Sequence, residues 1–139
     1  MPFYQVVDRE VSLVIVTFSG LLTDADLVAP FRYWAKCGPP RVARGLFDFR
    51  SCDVSRITAG GVCAAATIAS DCAFCDNLFR GAFLVDDSRM FAHAQAYKLV
   101  LPAFLGERQV FAKIDDALEY LGVLTSDPDL YLPVGDFGG

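Results

Sequence analysis

The residues of this chain best suited to binding or regulatory chemistry lie between Asp48 and Thr58. Asp48 and Arg50 alternate at the end of a short apolar segment. Asp53 and Ser55 follow in a polar segment, and Thr58 precedes an Ala-rich helical pattern. In open α/β sheets, binding sites lie where the carboxyl end of a strand passes into a helix. We therefore take these five residues as candidates for ligand binding or for a regulatory switch.

Cys72 and Cys75 form a C-x-x-C pair, a spacing found in redox centres and in zinc sites. The pair falls near the predicted end of a helix, whereas a reactive thiolate is stabilised at a helix N-terminus. A zinc site needs two more ligands, but the five cysteines include no second pair and the chain has one histidine. The pattern predicts core packing without a metal, and free thiols in a reducing cytoplasm.

His93 is the remaining residue with catalytic potential. A general base needs a neighbouring carboxylate or nucleophile, and the nearby Asp86 and Asp87 already suit a helix cap. The sequence contains no nucleophile elbow and no glycine-rich phosphate loop. We therefore predict no catalytic residue and no cofactor, and an enzyme that uses His93 or the cysteines is the least favoured function.

Composition excludes several classes of protein. The net charge is −5 and the basic residues are scattered, so no nucleic-acid-binding face is expected. The start of the chain lacks a basic segment followed by an apolar one, which predicts no secretory signal. The longest strongly apolar run, residues 11–18, is too short to span a membrane. The pattern predicts a cytoplasmic protein of one domain.

Hydrophobic periodicity predicts an α/β domain with the element order ββαβαβαβα. Strands are expected at residues 3–8, 11–18, 44–49, 80–85 and 109–112, and helices at 24–36, 59–76, 88–101 and 117–121. The first two strands should pair antiparallel across a short turn, because only a few residues separate them. Later strand–helix units require mostly parallel pairing, which gives a five-stranded mixed sheet covered by about four helices.

Several short segments in this order resemble one family. They are residues 46–50 (L-F-D-F-R), 53–55 (D-V-S), 80–85 (R-G-A-F-L-V), 90–94 (M-F-A-H-A) with Tyr97, 110–111 (V-F) and 116–121 (D-A-L-E-Y-L). This set is similar to the SpoIIAA-like family, in the STAS fold group, which has also been likened to the CRAL-TRIO lipid-binding fold. The resemblance implies a domain over residues 1–122 and leaves residues 123–139 as a C-terminal tail.

The resemblance also implies a function and a switch. Its antagonist members are non-enzymatic bacterial regulators of protein partners, and a serine at the start of their second helix is phosphorylated. The corresponding stretch here, residues 55–60, lacks the Asp-Ser-Ser sequence of those proteins. Ser55 or Thr58 could accept a phosphate, although helix capping is a sufficient reason for either hydroxyl.

A carrier or sensor of a small apolar ligand, such as a fatty acid, is the alternative function. The chain has twelve Phe, five Tyr and one Trp, and some of these could line a pocket between helices and sheet. The candidates are Phe31, Trp34, Phe74, Phe91 and Phe104. This function requires an internal cavity of a few hundred Å³, whereas an interaction domain predicts a filled core.

A homodimer is the predicted oligomeric state. The apolar content of 54% exceeds the roughly 45–50% of an ordinary domain. The first helix carries Leu27, Val28, Phe31, Trp34 and Ala35, which form more than a narrow stripe. Residues 130–132 (L-Y-L) add a second apolar patch, so either segment could form the dimer interface.

Overall fold

The sheet begins with an antiparallel hairpin and continues with parallel strands. In the computed structural model, which describes residues 3–72 and 78–123, β1 (Phe3–Asp8) pairs antiparallel with β2 (Leu13–Leu21). The strands β3 (Arg44–Asp53), β4 (Arg80–Leu84) and β5 (Glu107–Phe111) then join in parallel. The spatial order equals the chain order, so β1 and β5 are the edge strands.

Four helices connect and follow these strands: α1 (Asp24–Cys37), α2 (Ala59–Cys72), α3 (Ser88–Val100) and α4 (Ile114–Leu121). The predicted order ββαβαβαβα and the five-stranded mixed sheet are confirmed. Crossover connections within a sheet are right-handed, and β3, β4 and β5 add in one direction. For this reason α1, α2 and α3 share one face of the sheet, and α4 lies on the other.

Aromatic rings fill the core beneath α1–α3. Phe18 of β2 and Phe49 of β3 stack with their ring centroids 4.5 Å apart and nearly parallel. Phe83 of β4 contacts Phe47 at 5.6 Å and meets Tyr97 of α3 edge-on at 5.4 Å. These strand residues share one face because they alternate with residues that point to the other side.

A smaller core lies beneath α4. Strand residues that include Ile15 and Leu46 pack there against Ala117, Leu118 and Leu121 of the helix. The sequence predicted this helix only from residue 117, but it begins at Ile114. Two carboxylates in its first turn, at residues 115 and 116, favour the positive end of the helix dipole and explain the earlier start.

The strand β3 is longer than the sequence predicted. The strand was expected to end at residue 49, but residues 51–53 continue it to Asp53. They pair in register with Ser19, Gly20 and Leu21, after a register shift that follows Thr17. Because β2 itself extends to Leu21, it supplies main-chain partners that the sequence pattern did not reveal.

The apolar side chains of α1 do not form an open dimer interface. Leu27, Val28, Phe31 and Trp34 are each at most 8% exposed, and all pack against the chain's own core. Of the five α1 residues proposed for a dimer interface, these four are therefore used within the chain, and Ala35 is exposed. The second patch proposed for a dimer, at residues 130–132, lies outside the described residues.

Some predictions concern residues beyond the described ranges. Cys72 ends α2, as expected for the C-x-x-C pair, but Cys75 and Phe74 lie outside these ranges. Within residues 3–72 and 78–123, no three His, Cys, Asp or Glu side chains are grouped to hold a metal ion. In the same ranges, no helix is long and apolar enough to cross a bilayer.

Thr17 provides a test of the packing beneath α4. Its Oγ1 is buried and has no hydrogen-bond partner, while the residue is 3% exposed. Replacing Thr17 by the isosteric Val should raise the free energy of unfolding by about 1 kcal/mol, because a buried unpaired hydroxyl is removed. Urea denaturation measures this change.

The reciprocal substitution Val16→Thr is the matched control. Val16 is fully buried on the other face of β2, so a new hydroxyl there should cost about 1–3 kcal/mol. Destabilisation by Thr17→Val would contradict the structure, since it would mean that the Thr17 hydroxyl makes a stabilising bond.

Candidate functional site

The start of α2 is fixed by a carboxylate from another helix. Asp24, the first residue of α1, accepts hydrogen bonds from Thr58 N–H at 2.8 Å and from the Thr58 hydroxyl at 2.7 Å. Thr58 Oγ1 in turn accepts a bond from Gly61 N–H at 3.0 Å, which caps the helix. The Thr58 hydroxyl is therefore engaged both as a donor and as an acceptor.

Gly61 makes this contact between α1 and α2 sterically possible. A Cβ added to Gly61 would lie 2.1 Å from Asp24 Cγ and 2.6 Å from Asp24 Cβ. Rotation of so short a side chain cannot relieve this overlap. A glycine at this position is therefore required for the Asp24 carboxylate to reach the N-terminal end of α2.

The hydrogen bonds from Thr58 lower the pKa of Asp24 below its ordinary value. The bond from the hydroxyl has the largest effect, followed by the bond from the main-chain N–H. The charge of His93, on α3, acts in the same direction, although slight burial opposes it. The Asp24 carboxylate thus stays ionised at neutral pH. As an anion it stabilises the N-terminal end of α2.

Asp48 and Arg50 form a self-contained ion pair. The buried Asp48 carboxylate accepts hydrogen bonds from the Arg50 side chain, from Nε at 3.1 Å and from Nη2 at 3.0 Å. It also accepts a hydrogen bond from the Arg50 main-chain N–H at 3.0 Å. Both side chains share the face of β3 that carries Leu46 and packs beneath α4, because they alternate by two residues. The sheet therefore separates them from the helices α1–α3.

Asp53 and Ser55 form a tight turn at the carboxyl end of β3. Ser55 N–H donates to Asp53 Oδ1 at 2.9 Å, and both residues are exposed. This bond is the main cause of the lowered pKa of Asp53, with the Ser55 side chain second and the charge of Arg89 a smaller cause. The structure thus brings Asp53, Ser55 and Thr58 to one end of the sheet, and places Asp48 and Arg50 on another face.

Asp87 performs the same capping function at the neighbouring helix. Its carboxylate accepts bonds from Arg89 N–H at 2.7 Å and Met90 N–H at 3.2 Å, at the start of α3. The bonds from Arg89 lower the pKa of Asp87 most, and the bond from Met90 N–H adds to them. The starts of α2 and α3 are thus both held by ionised carboxylates at the carboxyl end of the sheet.

Cys52 is a thiol in this region that the sequence did not single out. It lies half-buried in β3, and its Sγ–H donates to Phe49 O at 3.0 Å. Burial, with a smaller effect from the charge of Asp48, raises its pKa to about 12. A thiol with such a pKa stays protonated at neutral pH and is a poor nucleophile.

Asp24 is the residue of this site that sequence reasoning missed. The sequence placed it only at the start of the helix expected at residues 24–36, and it lies 34 positions before its partner Thr58. The adjacent Gly60 and Gly61 were a signal, since a glycine inside a helix often marks a close approach.

A small apolar cavity lies between α1–α3 and the sheet. Its volume is about 50 Å³, and it is lined by aromatic and aliphatic side chains together with His93 and Arg108. The aromatic lining consists of Phe18, Phe31, Phe47, Phe49, Phe83 and Tyr97. Of the predicted pocket residues, Phe31 lies here, whereas Trp34 is buried in the adjacent core and donates its indole N–H to Gln5 Oε1.

Phe91 and Phe104 do not line this cavity, so that prediction was wrong for both. Phe91 is 47% exposed because its neighbour Met90 occupies the inward position of α3. Phe104 is 66% exposed in a short 3₁₀ turn, where Leu105 is buried instead. Helical spacing alone did not distinguish which of two adjacent apolar residues faces the core.

The glycine pair of α2 tests the contact at Asp24. Gly61→Ala should lower the free energy of unfolding by about 1–3 kcal/mol, because the new methyl overlaps Asp24. Gly60→Ala is the matched control: its Cβ would lie 3.9 Å from Thr58 Oγ1, and helix propensity should raise stability by up to about 1 kcal/mol. Denaturant titration of both variants measures the difference.

Two equal effects in the same direction would show that the Asp24 carboxylate does not approach Gly61. The double variant with Asp24→Ala supplies a further check. It should recover part of the loss caused by Gly61→Ala, because the overlapping carboxylate is then gone.

Comparison with known proteins supports the fold. No family model and no curated protein matches the chain. It is similar to the crystal structure of an uncharacterised DUF3478-family protein with a SpoIIAA-like fold from Shewanella loihica PV-4. The TM-score is 0.53 at 18% identity, and the match covers 86% of this chain and 91% of that one.

A second similar structure is the anti-sigma factor antagonist SpoIIAA in its unphosphorylated form. The TM-score is 0.42 at 14% identity, and the match covers 88% of this chain and 99% of that one. The resemblance found in the sequence is confirmed at the level of fold by the Shewanella protein. The chain therefore has a SpoIIAA-like fold.

Proposed function

We propose that this chain is a non-enzymatic regulatory domain that acts by binding another protein. The observation that carries the proposal is the filled space between the helices and the sheet. Pockets that hold small molecules measure about 300–1,000 Å³, and the cavity here measures about 50 Å³. A fatty acid or a similar apolar ligand does not fit such a space, which disfavours the carrier function.

The state of the polar groups supports a non-enzymatic role. The Thr58 hydroxyl makes two structural hydrogen bonds, and the Asp48 carboxylate is satisfied by Arg50. The Cys52 thiol remains protonated. Each of these groups is held by its neighbours in a way that stabilises the fold, so none is poised to attack a substrate or to move a proton.

The contact surface that we propose surrounds the start of α2, and we call it the α2-start surface. It consists of the exposed residues Leu21, Asp53, Ser55, Arg56 and Thr58. Leu21 is 53% exposed at the end of β2 and pairs in register with Asp53. An exposed apolar side chain surrounded by polar and charged groups is typical of a protein-binding surface.

A switch at Thr58 would follow from its contact with Asp24. A phosphoryl group on the Thr58 hydroxyl would bring two anions to the position of a 2.7 Å hydrogen bond. Their repulsion would expel Asp24 and separate the start of α1 from the start of α2. Phosphate on the exposed Ser55 would instead add charge beside Asp53 and leave this contact intact.

Self-association remains a separate proposal. With the apolar stripe of α1 buried within the chain, a homodimer would have to use other exposed apolar residues. Leu99 and Val100 at the end of α3 are two such residues.

Site-specific photo-crosslinking in the source cells tests the proposed function. A benzophenone side chain placed at Arg56 should give one discrete covalent complex with a second protein, because this residue lies in the α2-start surface. The same side chain at Lys36 is the matched control, since Lys36 is an exposed basic residue in the last turn of α1, at the end opposite Asp24.

The complex should be absent with the control at Lys36. It should also weaken when Leu21→Asp is combined with the probe at Arg56, because an apolar contact is lost. The same complexes from both positions, or none from Arg56, would reject the α2-start surface as the binding site.

A further inference from the structure

The outer edge of β5 is a candidate for strand pairing. In the described part of the chain, β5 pairs only with β4. Glu107 N–H bonds to Phe79 O, and Phe111 O accepts from Val85 N–H, each at 2.9 Å. Main-chain groups alternate along a strand, so the N–H and C=O of Val110 point away from β4. Such an edge is a template for a further strand.

A groove lies between this edge and α4. It is shallow and open to solvent, and it is lined by Gln109, Phe111, Asp116, Glu119 and Tyr120. The rings of Phe111 and Tyr120 form an apolar wall, with their centroids 5.4 Å apart. An extended peptide paired with β5 would project alternate side chains towards this wall.

The position of Tyr120 is fixed before any partner binds. Its hydroxyl donates to Glu107 Oε1 at 2.8 Å, and the Arg80 guanidinium lies 5.5 Å from the centre of its ring. Arg80 also donates to Tyr120 O at 3.1 Å. A wall held in this way loses little side-chain entropy on binding.

The groove has acidic walls. Asp116 and Glu119 are both exposed on α4, and Asp115 precedes them in the first turn of the helix. At the opposite side, Lys98 Nζ donates to Gln109 Oε1 at 3.1 Å. This bond is exposed to solvent, so an incoming strand can replace it at little cost. The carboxylates make the groove complementary to basic side chains.

We propose that the β5 edge and this groove bind an extended segment of a partner protein that combines apolar and basic side chains. The segment pairs with β5 as a sixth strand. Its apolar side chains pack against Phe111 and Tyr120, and its basic side chains meet Asp116 and Glu119. Recognition by strand addition of this kind takes affinity from the main chain and specificity from the alternate side chains.

Charge argues against a second copy of this chain as the occupant. Pairing two β5 edges would bring the acidic groups of both grooves together, and like charges disfavour such contact. The chain as a whole also carries a net charge of −5. A basic segment meets neither obstacle.

Nuclear magnetic resonance titration of the full chain tests this proposal with defined probes. The hexapeptide Lys-Val-Phe-Lys-Val-Lys presents apolar and basic side chains on both of its faces. It should shift the amide signals of residues 107–111 and 116–120 most, and the signals at Ser55 and Arg56 little. Two control peptides change one property each: Glu-Val-Phe-Glu-Val-Glu reverses the charge, and Lys-Pro-Phe-Lys-Pro-Lys removes main-chain donors.

Both control peptides should bind at least about tenfold more weakly than the basic one. Glu119→Lys should weaken the basic peptide by roughly fivefold to tenfold, since it replaces an attraction by a repulsion. A lysine near the end of α4 also suits the helix dipole, so the fold is retained. Asp71→Lys, at an exposed acid on α2, is the matched control and should leave the affinity unchanged.

Equal binding of the basic and acidic peptides would overturn the proposal. So would shifts centred away from β5, or no binding at millimolar peptide. If the free protein tumbles more slowly because two copies associate through β5, the occupant is a second copy. That result would also reject the proposal. Because the groove and the α2-start surface are separate, crosslinking at Arg56 and peptide binding at β5 can fail independently.

Discussion

The direction in which the strands are added determines most of this structure. From β2 to β5, each strand lies beside the previous one in the same direction, and right-handed crossovers then place α1–α3 on one face. Among the described residues, α4 is the helix that covers the other face. This asymmetry gives the sheet one thick aromatic core and one thin core. It also collects the starts of α2 and α3 at one end, and it leaves β1 and β5 as edges.

Once the helices are placed, the aromatic residues determine what the domain can hold. Rings from three adjacent strands and from α3 pack so closely that about 50 Å³ remains between them. The polar groups at the carboxyl end are used for capping, and Asp24 is the clearest example because it serves a helix other than its own. The cavity beneath α1–α3 is small and these polar groups serve as helix caps, so the surfaces are where we expect function.

The sequence predicted the elements better than their contacts. Strand and helix order follow from hydrophobic periodicity and from capping residues such as Asp87, which are local signals. The extension of β3 to Asp53 depends on partners in β2, and the Asp24–Thr58 contact joins residues 34 positions apart. Phe91 also could not be placed from local sequence. Tertiary packing decides whether Met90 or Phe91 faces the core, and Met90 is the buried one. Interactions distant in sequence left no local pattern to detect.

Native mass spectrometry of the chain purified from its source cells tests the central claim most directly, because it reports any retained small molecule. The claim is that the aromatic core is filled and that the domain acts through its surfaces. We predict a polypeptide mass near 15.2 kDa per chain, with no bound small molecule after gentle desolvation. A stoichiometric adduct of a few hundred daltons, released when the protein is denatured and extracted into organic solvent, would contradict it.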